Sequence, residues 1–232
     1  MHVSHSELNR LIKQAFEGSG LAQGVYQAAA TSIVWAETHG FSGLDIFETS
    51  LKKVDIFDLE LTLSEAIESN AQHMKVTSSA AFWGRSAAEL CIAKAVDRGE
   101  FELTIEGGYD HVFMLNRLSR AADKNLYASL TWSEDGRLIH VTADAGRCCV
   151  DYCEFPIELN QVDAKFKVSQ NQLAPTRLEP QTRIPPSEIK KRYSRSLDQG
   201  IEMSSSLWNT LTDLASNVLV QSTEQSRSGA GD

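Results

Sequence analysis

Apolar residues recur every three or four positions through the start of the chain, the spacing that turns one helix face towards a core. Leu8, Leu11, Ile12 and Phe16 form the first such stripe. Ser4-His5-Ser6-Glu7 opens it as a capping box, and Gly18 and Gly20 close it. Val25, Ala29, Ile33 and Ala36 predict a second helix over residues 22–39, stopped by Gly40. Phe47, Leu51 and Val54 predict a third, shorter helix, so a helical unit fills about the first 60 residues. The period then changes. Residues 74–79 read as a short strand, and residues 85–98 as a helix with Ala88, Cys91, Ile92 and Ala95 on one face and Gly99 at its end. Phe101, Leu103 and Ile105 alternate with Glu102, Thr104 and Glu106, the pattern of a half-buried strand. Gly107-Gly108 reads as a turn, and Asp110 as the cap of a helix from 111 to about 124. Strands over 126–132 and 137–142 flank Asp135-Gly136, a hairpin signal. Residues 147–152 and 163–168 read as further strands. Strand, helix and strand followed by an antiparallel extension predict the α/β class: a mixed sheet with covering helices.

Residues 171–186 carry Pro175, Pro180, Pro185 and Pro186 and read as an extended connector. Ser187 is placed to cap a helix reaching about Gln199, and Ser204 to Ser206 to start a last one with Leu207, Leu211, Leu214 and Val218 on its apolar face. The expected organisation is a helical unit plus mixed core over 1–170, the connector over 171–186, C-terminal helices packing on the core over 187–221, and a polar tail over 222–232.

With 232 residues, 42% of them hydrophobic, the chain has ample material for a core. Its net charge of −9 disfavours nucleic acid as a partner. No apolar run approaches the roughly 18 residues of a membrane span, so a membrane partner is not expected either. The polar start, Met1 to Arg10, lacks a signal-peptide pattern, which points to the cytoplasm. Cys91, Cys148, Cys149 and Cys153 include no C-x-x-C pair, and adjacent cysteines on a strand face opposite ways. They read as free thiols of a cytosolic protein, and no metal is expected because no histidine stands nearby at ligand spacing. The common dinucleotide, nucleotide, zinc-protease and hydrolase motifs are absent.

The leading chemical candidate is Gly107-Gly108-Tyr109-Asp110-His111, between a strand and a helix, where open α/β sheets place ligands. Exposed amides there favour an anion, and His111 is a candidate proton donor or acceptor. A glycine turn, a cap and an incidental histidine explain the same residues. His39-Gly40-Phe41-Ser42-Gly43 is a second candidate, whose histidine is also accounted for by the dipole at a helix end. Trp83 and Trp132 suit a pocket lining or plain packing. Lys190-Lys191-Arg192 with Arg195 suits a solvated helix face or an anion contact.

Two resemblances emerge from these segments. Gly18-Ser19-Gly20-Leu21, then Ala36-Glu37-Thr38-His39-Gly40, the helix from Gly84 to Gly99, and Asp110-His111 after the next strand follow the order of the non-Rossmann malate/L-lactate dehydrogenase family. There the corresponding motifs are A-D-x-R-G, G-x-x-x-A…A-x-x-K-A-x-x-x-G and N-H-F-G. This resemblance spans residues 7–132, roughly half the chain. It implies a truncated dehydrogenase core, a nicotinamide cofactor and dimerisation. That family continues A-D-x-R-G with x-x-S-H-G, whose Ser and His belong to its active site. Here Phe41-Ser42-Gly43 follows, so the pair is lost or rebuilt. The cofactor-holding segments are not recognisable after Trp132, and only His111 carries over. The second resemblance, over nearly the whole chain, is to an uncharacterised bacterial family, a domain of unknown function. It rests on the Ser4…Glu7 helix, on Trp83-Gly84-Arg85-Ser86-Ala87-Ala88-Glu89-Leu90, and on the ending from Leu207-Trp208 to Ser226-Arg227…Gly229-Ala230-Gly231-Asp232.

The sequence thus predicts a non-catalytic derivative of a dehydrogenase-like core, acting in ligand or partner binding. Its alternative is an NAD- or NADP-dependent oxidoreductase of small 2-oxo or 2-hydroxy acids. No cofactor is expected in the first case, NAD or NADP in the second. Gly107, Gly108, Asp110 and Arg227 are the candidate ligand-binding residues, with Arg227 suited to a carboxylate. Expected partners are a second copy of the chain, in a homodimer, and a small carboxylate ligand or protein partner. The tail should dock near His111 or bind the partner.

Overall fold

The computed structural model describes residues 1–52, 61–64, 71–134, 137–144, 147–156, 164–173 and 182–218. Helix α1, His5–Gly18, starts on the expected capping box: Ser4 Oγ accepts from the Glu7 amide at 3.2 Å, and Glu7 returns a bond to the Ser4 amide at 3.4 Å. Helices α2, Gln23–Thr38, and α3, Gly43–Leu51, complete the helical unit, and Val54 lies outside the described residues. Glu37 joins the two helices by accepting from the Leu44 amide at 2.9 Å. Gly43 is required at the crossing, because a Cβ there would sit 2.6 Å from the Ile33 carbonyl oxygen.

One eight-stranded sheet carries the core, in the order β2-β3-β4-β8-β5-β6-β7-β9. These strands are β2 Leu61–Ser64, β3 Ala71–Ser79, β4 Glu100–Tyr109, β5 Tyr127–Glu134, β6 Arg137–Asp144, β7 Arg147–Pro156, β8 Ala164–Ser169 and β9 Thr182–Ile184. Among the described residues, only β3 and β4 run parallel, joined by helix α4, Ala80–Arg98; the remaining described pairs are antiparallel. The mixed sheet with helical cover is as the residue pattern implies. Strand β8 is the unforeseen part: it lies between β4 and β5, with Phe166 opposite Leu103 on one side and Leu130 on the other. All three side chains are fully buried. The Asp135-Gly136 turn is outside the described residues, but Glu134 pairs with Arg137 across it as a hairpin requires.

Helix α4 begins at Ala80 rather than at 85, with Ser79 Oγ accepting from the Ala81 amide at 3.4 Å. Gly107-Gly108 is not a turn. Both residues continue β4 with φ of 75° and 71°, where its register against β3 shifts between Val76 and Ser79. The cause is close approach: a Cβ on Gly107 would sit 2.5 Å from the Val76 carbonyl oxygen, and one on Gly108 would sit 3.1 Å from the Trp83 ring. Nor does Asp110 cap with its side chain; at φ 58° its carboxylate instead accepts from Ser50 Oγ at 2.5 Å. The expected helix therefore opens as a 3-10 turn, His111–Met114, before α5, Leu115–Asp123.

The connector contributes β9 on the sheet edge, while its residues 174–181 are outside the described set. Helix α6, Pro186–Gln199, has Pro185 at its N-cap and Pro186 at the first helical position, so Ser187 lies inside rather than capping it. Helix α7, Ser205–Ser216, buries Leu207 and Leu211 and ends before Val218. It packs on α1 so closely that a Cβ on Gly18 would overlap the Leu214 carbonyl. A two-stranded ribbon of β1, His2–Val3, and β10, Ile201–Glu202, ties the first residues to this C-terminal pair of helices.

Candidate functional site

The residues singled out around the end of β4 come together, but as packing. His111 is only 6% exposed. It stands edge-on to Trp83 with ring centres 5.8 Å apart, and tilted against Trp132 at 6.3 Å. Trp83 is itself anchored by its Nε1, which donates to the Ser78 carbonyl at 2.9 Å. His111 Nε2 is buried and has no hydrogen-bond partner among the described residues. Burial in this apolar setting pushes its pKa down to about 4, so the ring is neutral at pH 7. Gly107 and Gly108 provide clearance for Val76 and Trp83, and Asp110 is held by Ser50. Arg227 and the whole tail lie outside the described residues.

The second sequence candidate leads to a more open place. His39 follows the last turn of α2, and its Nδ1 donates to the Trp35 carbonyl at 2.7 Å. Burial lowers its pKa against the opposing effect of that bond, so a charge–dipole attraction does not explain its position. The His39 ring stacks on Trp35 at 4.2 Å and on Tyr193 at 5.0 Å, and Trp35 stacks on Phe41 at 5.7 Å. His5 meets Tyr193 edge-on at 6.4 Å. A cavity of about 320 Å³ opens beside these rings, lined by residues of α1, α2 and α6. Asn9, which borders it, has a buried Oδ1 without a hydrogen-bond partner.

Helical spacing of Trp35 and His39 is the signal that could have marked this pocket, since residues four apart share a face. Nothing local announces Asn9 or Tyr193. The basic run on α6 is largely solvated: Lys190, Lys191 and Arg195 are exposed. Arg192 instead bonds Glu188 at 3.1 Å and the Gly40 carbonyl at 3.4 Å.

A third polar group is fully internal. Asn116 and Arg117 on α5 both donate to Ser32 Oγ on α2, at 3.3 and 3.2 Å. Arg117 is 4% exposed, and its Nε lacks a partner among the described residues. Cys91 is buried and free. Among the described residues, no three or more His, Cys, Asp or Glu side chains are grouped to hold a metal. No described helix is long and apolar enough to cross a membrane.

Comparison with solved structures defines the class of fold. Sulfolactate dehydrogenase from Methanocaldococcus jannaschii superposes with a TM-score of 0.63 at 12% identity, over 93% of this chain and 97% of that one. Malate dehydrogenase from Pyrococcus horikoshii OT3 gives 0.67 at 11%, over 95% and 96%. Delta1-piperideine-2-carboxylate reductase from Pseudomonas syringae pv. tomato gives 0.60 at 12%, over 92% and 99%. The chain therefore has the malate/lactate-dehydrogenase-like fold, and at these identities the likeness is one of fold. It extends well past the half of the chain in which the motifs were legible. Within that class, the model of a family described as a protein of unknown function (DUF3726) matches residues 3–94. This agrees with the second resemblance, over a shorter stretch than the near-whole chain. No curated protein matches the sequence.

Proposed function

We propose that this chain is a non-catalytic derivative of the dehydrogenase-like core, acting by binding a ligand or partner. The burial of His111 carries the reading. A general acid working near neutral pH needs a pKa near that pH and access to the proton it moves. His111 sits between two tryptophans, neutral down to about pH 4, with its Nε2 facing no polar group among the described residues. The oxidoreductase alternative, acting on small 2-oxo or 2-hydroxy acids with NAD or NADP, is favoured by the fold likeness but asks this ring to do what its surroundings oppose. We also propose a homodimer in the cytoplasm, with the helical unit contributing to the contact. Light scattering at micromolar concentration should give twice the monomer mass, and a strictly monomeric mass would overturn the dimer.

Titration calorimetry with NADH and NADPH tests the central reading. Binding weaker than about 1 mM is expected. A micromolar Kd for either cofactor would overturn it and restore the oxidoreductase.

A further inference from the structure

We propose that α6 is an acid-released flap, held at neutral pH by the stacking of Tyr193 on His39 and detached when that imidazole takes up a proton. The inference goes beyond the binding role proposed above and does not depend on it. Helix α6 is attached by little. Ile189 is its one fully buried residue, and Leu197 near its end is 54% exposed. Elements with few buried contacts are the first to open locally. Tyr193 is the clasp, stacked on the His39 ring of α2 at 5.0 Å and met edge-on by His5 of α1 at 6.4 Å. Arg192 adds one long bond, donating from Nη1 to the Gly40 carbonyl at 3.4 Å. Tyr193 also borders the cavity of about 320 Å³, so detachment removes one of its walls.

His39 couples the clasp to protons. Trp35 stacks on the same ring at 4.2 Å, so the imidazole lies between two near-parallel neighbours. Burial lowers its pKa, outweighing the bond from Nδ1 to the Trp35 carbonyl, and His5 lowers it further. The carboxylates around the contact have partners of their own. Glu37 on α2 accepts from the Leu44 amide, within reach of Asp45 on α3, and Glu188 on α6 pairs with Arg192 at 3.1 Å. Helix α6 brings Lys190, Lys191, Arg192 and Arg195 against Glu188 and Asp198, so a proton on His39 adds positive charge beside a basic helix. Detachment returns His39 to water and to its ordinary value near 6.5. The closed form therefore binds fewer protons than the open form, and acid favours opening. The clasp is fully effective above pH 6.5 and weakens as pH falls below it.

Hydrogen exchange of the full chain, corrected for the intrinsic pH dependence of amides, tests the flap. Protection of residues 188–198 should be lower than that of α2 at every pH. Between pH 7.5 and 5.5 it should fall by between about twofold and tenfold, the upper figure being the limit for one imidazole that titrates near 6.5 when exposed. His39→Phe keeps a stacking ring that cannot titrate, and the Trp35 carbonyl still accepts from the amide at position 39, so this variant should lose the pH dependence. Tyr193→Ser, on a partly exposed helix, serves if His39→Phe does not fold. NMR titration should show the His39 pKa rising towards its ordinary value when Tyr193 is removed, and an unchanged pKa would overturn the proposal. Exchange of α6 together with α2, or a change in α6 protection below about twofold in the wild type, would do the same. So would a pH dependence that persists in His39→Phe. A wild-type His39 pKa above 6.5 would show that the attraction of the stacked rings for a cation tightens the clasp in acid, and the flap would be refuted. Micromolar NADH binding would remove the non-catalytic reading and leave the flap in place.

Discussion

His111 should make the stability of this protein depend on pH in a window that can be calculated. In the unfolded chain its imidazole titrates near 6.5, and in the fold burial pushes the value to about 4. Between those limits the unfolded state binds more protons than the native state, so stability rises with pH. The contribution is fully present above pH 6.5, is lost progressively as pH falls towards 4, and is flat below. At about 1.4 kcal/mol per pH unit, a window from 6.5 to about 4 amounts to about 3 kcal/mol. His39 and His140 are also shifted down by burial and slope in the same sense, so the wild-type curve alone does not isolate the residue. Replacement does. His111→Leu has similar volume and removes a buried nitrogen that bonds nothing among the described residues, so at pH 7.5 it should change stability by no more than about 1 kcal/mol. Urea unfolding of both proteins from pH 7.5 to 4 should show the variant gaining about 3 kcal/mol relative to wild type across the window. A difference that stays within about 0.5 kcal/mol over that range would show that His111 is not sealed between Trp83 and Trp132, and the case against its acting as an acid would fall with it.

The glycine pair gives a steric test. Gly107→Ala should destabilise by at least about 3 kcal/mol in urea unfolding, because its Cβ meets backbone at positive φ, and Gly108→Ala by about 2 kcal/mol, because a side chain can yield; near-neutral values would refute the close approach of β3 and β4. Arg117 tests a buried charge: Arg117→Met should be neutral or stabilising by up to about 2 kcal/mol, whereas Ser32→Ala should cost about 1–2 kcal/mol by stripping two donors of their acceptor. A large loss in Arg117→Met would reveal an anionic partner for the guanidinium. The Cys91 thiol is raised by burial and should resist alkylation in the native protein while reacting on unfolding. Elemental analysis should find no stoichiometric zinc, as expected of free thiols at Cys148, Cys149 and Cys153.

How far these features could be read from sequence depends on the range of the interactions behind them. Local ones were legible. The Ser4–Glu7 capping box, the α2 stripe, the β4 alternation and the hairpin flanking Asp135-Gly136 each express contacts within a few residues, and each forms. Non-local ones were not. Nothing in residues 164–169 says that β8 belongs between β4 and β5, because its alternating burial would suit any sheet position. Gly107-Gly108 looked like a turn because flexibility is the usual reason for paired glycines, whereas the actual reason, Val76 and Trp83 pressing on the backbone, comes from elements distant along the chain. The sites divide in the same way. His111 was found because a histidine after a strand and glycines is a familiar local pattern, yet what decides its chemistry is the two tryptophans around it. Trp132 arrives from a strand beyond the next helix. The aromatic pocket joins Asn9, Trp35, His39 and Tyr193 from three helices, and α6 is separated from α2 by the entire sheet in sequence. A sequence pattern can nominate a reactive side chain, but its ionisation and its unmet hydrogen bonds belong to its neighbours. In this chain those neighbours enclose His111 between two tryptophans and leave a cavity open beside Trp35, His39 and Tyr193, and neither environment is announced by the residues next to it in sequence.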